Sequence, residues 1–123
     1  MSETRDIIIE LNRDQFEELL KVNPGYVIIK FTATWCKPCK HINPLVEKWF
    51  AALPKEFQCA ELDVDENNDV YAYLRRKKIV VGIPAILGYM QGNTSIAPDH
   101  CVTGSSLTEV KHFFENCVKD LQP

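Results

Sequence analysis

No apolar run in this sequence approaches the ~20 residues that a membrane-spanning helix needs, so no membrane span is expected. Lys and Arg number 14 against 17 Asp and Glu, a formal net charge of −3, so the basic excess of a nucleic-acid binder is missing. The opening Met1-Ser2-Glu3-Thr4-Arg5-Asp6 is polar and no uncharged apolar stretch follows, so no secretory signal is expected. There is no Gly-x-Gly-x-x-Gly turn for a dinucleotide. The acidic run Asp65-Glu66-Asn67-Asn68-Asp69 lacks the glycine and spaced oxygen ligands of a calcium loop and reads as a helix cap. Nothing repeats and no linker divides the chain. One domain over residues 1–123 is expected, with 1–5 as a loose tail. Five cysteines is an odd number, which suits a reducing compartment better than a disulfide-stapled scaffold, and a cytoplasmic protein is expected.

What is present centres on two of those cysteines, in Trp35-Cys36-Lys37-Pro38-Cys39-Lys40. Before them runs Tyr26-Val27-Ile28-Ile29-Lys30-Phe31, rich in β-branched and aromatic residues, which reads as a buried strand. After them His41, Ile42, Leu45, Val46, Trp49 and Phe50 recur at helical spacing. The pair therefore falls where a strand ends and a helix begins. Unpaired N–H groups and the positive end of the helix dipole stabilise a thiolate there, and the thiolate is the nucleophile of disulfide exchange. Cys36 is assigned as the exposed attacking thiol and Cys39, one turn inside the helix, as the shielded resolving one. Lys37 and Lys40 add positive charge, and Pro38 stiffens the first turn, where proline is tolerated. Zinc is the competing use of a Cys-x-x-Cys pair. It usually wants four ligands, but Cys59, Cys101 and Cys117 stand alone and His41, His100 and His112 are scattered. No metal is expected. A redox-silent docking module is the other alternative.

Along the rest of the chain, Asp6–Leu11 reads as a short strand around Ile7-Ile8-Ile9. Asn12 reads as the N-cap of a helix with Phe16, Leu19 and Leu20 on its apolar face, stopped by Asn23-Pro24-Gly25. Pro44 falls inside the helix after the cysteines and is expected to kink it, and Pro54 marks its end. Phe57–Val64 reads as a strand, and Val70, Tyr71, Tyr73 and Leu74 mark a third helix ending in Arg75-Arg76-Lys77-Lys78. Ala85–Met90 and the vicinity of His100-Cys101-Val102 read as strands. Leu107, Val110, Phe113, Phe114, Cys117, Val118 and Leu121 form the apolar stripe of a last helix. The order β-α-β-α-β-α-β-β-α implies an α/β fold with a mixed central sheet of about five strands and about four helices on its two faces.

That order, with Trp-Cys-x-Pro-Cys-Lys after the second strand, resembles the thioredoxin family over nearly the whole chain. Phe31 to Lys40 is similar to its active-site stretch, Pro44 to its helix proline, and Leu62-Asp63-Val64-Asp65 to its third-strand signature. Val81-Gly82-Ile83-Pro84-Ala85 is similar to its cis-proline segment, and Gly92 and Gly104 to its last two turn glycines. The resemblance implies a thioredoxin fold and a protein dithiol–disulfide oxidoreductase with no bound cofactor. It implies disulfide-containing protein substrates, and electrons from NADPH through thioredoxin reductase or from a glutathione and glutaredoxin system. It also implies a monomer, a cis Ile83–Pro84 bond facing Cys36, and a substrate surface of Trp35, Lys37, Pro38, Gly82, Ile83, Pro84 and Gly104.

Three departures stand out. Lys37 replaces a usual glycine, and the hairpin after Met90 is longer and carries Pro98 and Asp99. Most informative, Lys30 stands where the family usually buries an aspartate behind the second cysteine, and Glu61 where it usually has the partner lysine. A buried lone lysine is costly, so a sign-exchanged Lys30–Glu61 pair is one expectation and a lysine snorkelling to the surface the other. If the pair forms, Glu61 through water, or Lys30 itself, takes the proton of Cys39.

Overall fold

The computed structural model describes residues 5–122. Eight elements follow one another: α1 (Arg13–Val22), β1 (Tyr26–Thr32), α2 (Lys37–Ala52), β2 (Phe57–Asp63), α3 (Asn68–Arg76), β3 (Ala85–Met90), β4 (His100–Thr103) and α4 (Leu107–Leu121). The strands lie in the order β2-β1-β3-β4. β1 and β2 run parallel, joined by the crossover through α2, while β3 and β4 are antiparallel additions.

Four strands form this sheet among the described residues, one fewer than expected. The missing one is Asp6–Leu11, where only Ile8 pairs, as an isolated bridge to Ala60. Ile8 donates to the Cys59 carbonyl at 3.0 Å and accepts from Glu61 N–H at 2.8 Å. Pairing goes no further because Asn67 captures the backbone: its side chain takes the Ile9 carbonyl at 3.2 Å and the Leu11 N–H at 2.9 Å. The loose tail expected for residues 1–5 lies outside the described residues except at Arg5. There the guanidinium hydrogen-bonds the carbonyls of Phe50, Leu53, Pro54 and Phe57, tying the segment to the end of α2.

β1 is the spine. Tyr26 to Phe31 are all fully buried, and alternation divides them between two apolar layers. Val27, Ile29 and Phe31 pack with Phe16, Leu20, Val70 and Leu74 of α1 and α3. Tyr26 and Ile28 pack with Ile42, Val46 and Phe50 of α2 and with Val110, Phe113, Phe114 and Cys117 of α4. Each such aliphatic or aromatic side chain stabilises the fold by roughly 1.5–3 kcal/mol. β1 fixes everything at its C-terminal end by this two-sided burial.

Local signals set the helix ends. Asn12 caps α1 reciprocally with Gln15, the Asn12 side chain on Gln15 N–H and the Gln15 side chain on Asn12 N–H. Leu107 departs from the expected apolar stripe of α4: as its first residue it is 43% exposed, while Ser106 caps the helix through Glu109 N–H.

Candidate active site

The end of β1 leads through Ala33-Thr34-Trp35 to Cys36, which is the N-cap of α2. Its backbone is extended, at φ −87° and ψ 105°, and its Sγ accepts the Cys39 N–H at 3.2 Å. Such caps are usually hydroxyl or carboxamide oxygens. Here the sulfur occupies that place, so a thiolate on Cys36 would meet a free helical N–H and the positive end of the dipole. Pro38 sits in the first turn, where its missing N–H leaves no bond unmade.

Cys36 and Cys39 are joined in a disulfide with Cα atoms 5.3 Å apart. In this closed form Cys36 is only 4% exposed and Cys39 0%, so the exposed thiol expected at position 36 is instead buried, though it is the outer of the two. Ala33 and Val80 share its apolar cluster, and Ile83 packs against that cluster. Outside it Trp35 is 65% exposed, its Nε1–H held by Asp65 Oδ2 at 2.8 Å. Lys37, Pro38 and Lys40 are exposed on the first turn.

The Ile83–Pro84 peptide is cis. The Pro84 carbonyl accepts Gly104 N–H at 2.9 Å, which brings the turn before α4 against the proline. Gly104 has φ +102°, a left-handed conformation that glycine alone adopts freely. Gly82 and Ile83 are half-buried, and Val81 before them is 70% exposed.

Lys30 lies between β2 and the underside of α2. It is the one charged side chain among the buried described residues, at 0% exposure. In the sheet register it stands beside Glu61, and its Nζ donates to Glu61 Oε1 at 2.8 Å. It also donates to Oδ1 of Asn43, one helical turn beyond Cys39 on α2. The snorkelling alternative is therefore excluded. Glu61 keeps 37% of its side chain in solvent, so the pair runs from water to the underside of α2.

Residue-type reasoning missed three neighbours. Asn43 was legible in principle, since it lies four residues after Cys39 on one helix face. Val81 was signalled only by its place before Gly82. Asp65, the partner of Trp35, carried no signal beyond an acidic strand end. The remaining cysteines separate clearly. Burial pushes the thiols of Cys59 and Cys117 up to about 12, while Cys101 is exposed on β4. Among the described residues no three His, Cys, Asp or Glu side chains gather as metal ligands.

Comparison with known proteins follows the same lines. The family model described as Thioredoxin matches residues 7–116. Thioredoxin of Staphylococcus aureus is 38% identical over 72 residues, covering 58% of this chain. The match spans 65% of that relative's own length. Among solved structures, thioredoxin of Fasciola hepatica is similar with a TM-score of 0.69 at 25% identity, covering 89% of this chain and 98% of that one. Thioredoxin of Malassezia sympodialis shares the fold, with a TM-score of 0.69 at 21% identity over 96% of this chain and 99% of that one.

Proposed function

The chain belongs to the thioredoxin family, and from that premise we propose that it is a protein dithiol–disulfide oxidoreductase working through Cys36 and Cys39. The observation that carries this reading is the placement of the Cys36 sulfur as the cap of α2, 3.2 Å from Cys39 N–H and bonded to the second sulfur. In the reduced protein the Cys36 thiolate attacks one sulfur of a substrate disulfide. That S–S bond breaks, the other substrate sulfur leaves as a thiolate, and a mixed disulfide forms. Cys39, deprotonated, then attacks Cys36 Sγ, closes the intramolecular bridge and releases the second substrate sulfur.

The substrate segment docks across Trp35, Lys37, Pro38, Gly82, Ile83, Pro84 and Gly104. Proline offers no N–H, and the neighbouring Ile83 backbone serves as an edge for an extended peptide. The exposed indole of Trp35 and the exposed Val81 extend that surface with apolar contact. Lys30 and Glu61 are the charged groups that serve the resolving thiol. Re-reduction draws on thioredoxin reductase with NADPH or on a glutathione and glutaredoxin system, and the setting is cytoplasmic, with the chain acting as a monomer.

The test is catalysed reduction of insulin disulfides by dithiothreitol. The expected result is turnover that vanishes in Cys36→Ser. No acceleration over dithiothreitol alone would leave a docking module. A Cys39→Ser variant, which cannot complete the exchange, is expected to accumulate its protein partners as mixed disulfides.

A further inference from the structure

Lys30 is fully buried, at the end of the strand that delivers the cysteines, and its two partners differ in kind. Glu61 is a counter-charge that is 37% exposed, so water weakens the field it projects into the protein. Asn43 is neutral and belongs to α2, four residues after Cys39, so the ammonium reaches towards the helix that carries the resolving thiol. The cation lies on the inside of the pair and the anion on its solvent side. An interior charge acts through a low effective dielectric, so the imbalance beneath α2 at Asn43, one turn after Cys39, is positive.

Resting on the exchange reaction above, we infer that Lys30 is a positioning residue that acts by charge. It forms an electropositive floor under the first turn of α2 that favours the Cys39 thiolate, with Glu61 and Asn43 holding the ammonium in place. Lys30 takes no proton in this account, and Glu61 is not the acceptor. Around the first turn of α2 the other titratable groups are Lys37, Lys40 and His41, with Asp63 at the end of β2; Glu47 and Lys48 lie further along α2, Cys59 in the middle of β2 and Tyr89 on β3. Lys37, Lys40 and His41 are exposed and Asp63 is half-buried. β3 contributes Ile86, the register partner of Lys30 on its other side, which carries no charge.

The balanced step is attack of Cys39 S⁻ on Cys36 Sγ in a mixed disulfide. The Cys36–substrate S–S bond breaks, its electron pair leaves with the substrate sulfur, and the Cys36–Cys39 bond forms. Dithiobis(nitrobenzoate) isolates it. Reduced protein in stopped flow releases a first coloured thiolate as Cys36 reacts, at a rate set by reagent concentration. It releases a second at a rate independent of that concentration, when Cys39 resolves. In a Cys101→Ser background, which removes the other exposed thiol, the pH profile of the second release reads Cys39 alone.

In Lys30→Met that profile is expected to move up by about one pH unit, about tenfold slower release at neutral pH. Lys30→Arg, which keeps the charge and cannot serve as a base, is expected to retain the original profile. Glu61→Gln is expected to keep it or move it lower. Superimposable profiles in Lys30→Met and the unaltered protein overturn the inference, as does an Arg variant as slow as the Met variant, which would make Lys30 a base. So does a slowing in Glu61→Gln equal to that in Lys30→Met, which would make Glu61 the acceptor. If circular dichroism shows the Arg variant unfolded, the second release of Lys30→Met is followed at rising concentrations of an amine buffer: no dependence keeps the charge reading, and acceleration would make Lys30 a base and overturn it. Absence of the first release would instead remove the exchange reaction on which all this rests.

Discussion

Two polar clusters sit at opposite ends of the same face of β1, and they are built on opposite terms. At one end the Tyr26 hydroxyl donates to Asp120 Oδ2 at 2.8 Å, and His100 Nε2 lies 2.8 Å from the same oxygen. There the buried member is a neutral phenol, stacked on Phe57, and the carboxylate and imidazole lie nearer the surface. At the other end, four residues along, the buried member is the charge itself, Lys30. A phenol with one hydrogen bond is an ordinary interior group, whereas a buried ammonium carries a desolvation penalty of several kcal/mol before its partners offset it. An apolar side chain of similar volume would fill the Lys30 position with less penalty. The expensive arrangement is found at the end of the strand that carries the cysteines, which is why its role is sought in their chemistry.

Several substitutions break or sharpen that contrast. The largest expected effect on stability is from Glu61→Leu, which leaves Lys30 buried with Asn43 alone. Urea denaturation should show a loss of about 2–3 kcal/mol, reduced from the fully buried case because Glu61 is partly in water. Lys30→Met should stay within about 1 kcal/mol of the original protein or exceed it. A large loss in both would mean that the ion pair is chiefly structural. At the other end, Asp120→Ala strands the buried Tyr26 hydroxyl and is expected to lose about 1–2 kcal/mol with insulin reduction unchanged.

The alkaline limb comes next. Burial raises the Cys59 and Cys117 thiols from 9.0 to about 12, so the unfolded chain loses these protons first as the pH climbs. Their contribution is whole below about pH 9 and is lost progressively towards pH 12. Each thiol should lower stability by about 1 kcal/mol by pH 10, and Cys59→Ala should flatten that slope by half. Burial pushes the phenols of Tyr26 and Tyr89 up as well, extending the decline at higher pH. The smallest effect on stability is expected from Trp35→Ala, within about 0.5 kcal/mol because the ring is 65% exposed. Its KM for a protein disulfide should nonetheless rise severalfold.

What was legible in the sequence, and what was not, divides along chain distance. The redox turn, the Asn12 cap and the buried strand Tyr26–Thr32 are local patterns, and the residues near them are enough to specify them. The cis Ile83–Pro84 bond was legible only through family resemblance. The strand expected at Ile7-Ile8-Ile9 was lost to Asn67, a partner nearly sixty positions away that no local pattern announces. Lys30 shows the same limit more sharply. Its residue type allowed either a surface or a buried position, and only the β1–β2 register, which aligns it with Glu61, decided for burial. Asn43 and Asp65 were missed because each matters through a hydrogen bond made across the fold, to Lys30 and to Trp35.

The reactivity of the Cys36 sulfur is read by the rate of its alkylation in the reduced protein as a function of pH, with the modified residue identified by mass spectrometry. A sulfur held as the cap of α2 should be half-reactive well below the ~8.5 of a free cysteine, and removing the alkylating agent from an unreacted sample should allow the bridge to Cys39 to re-form on mild oxidation. A Cys36 that titrates like free cysteine in a protein that does not close its bridge would contradict the account.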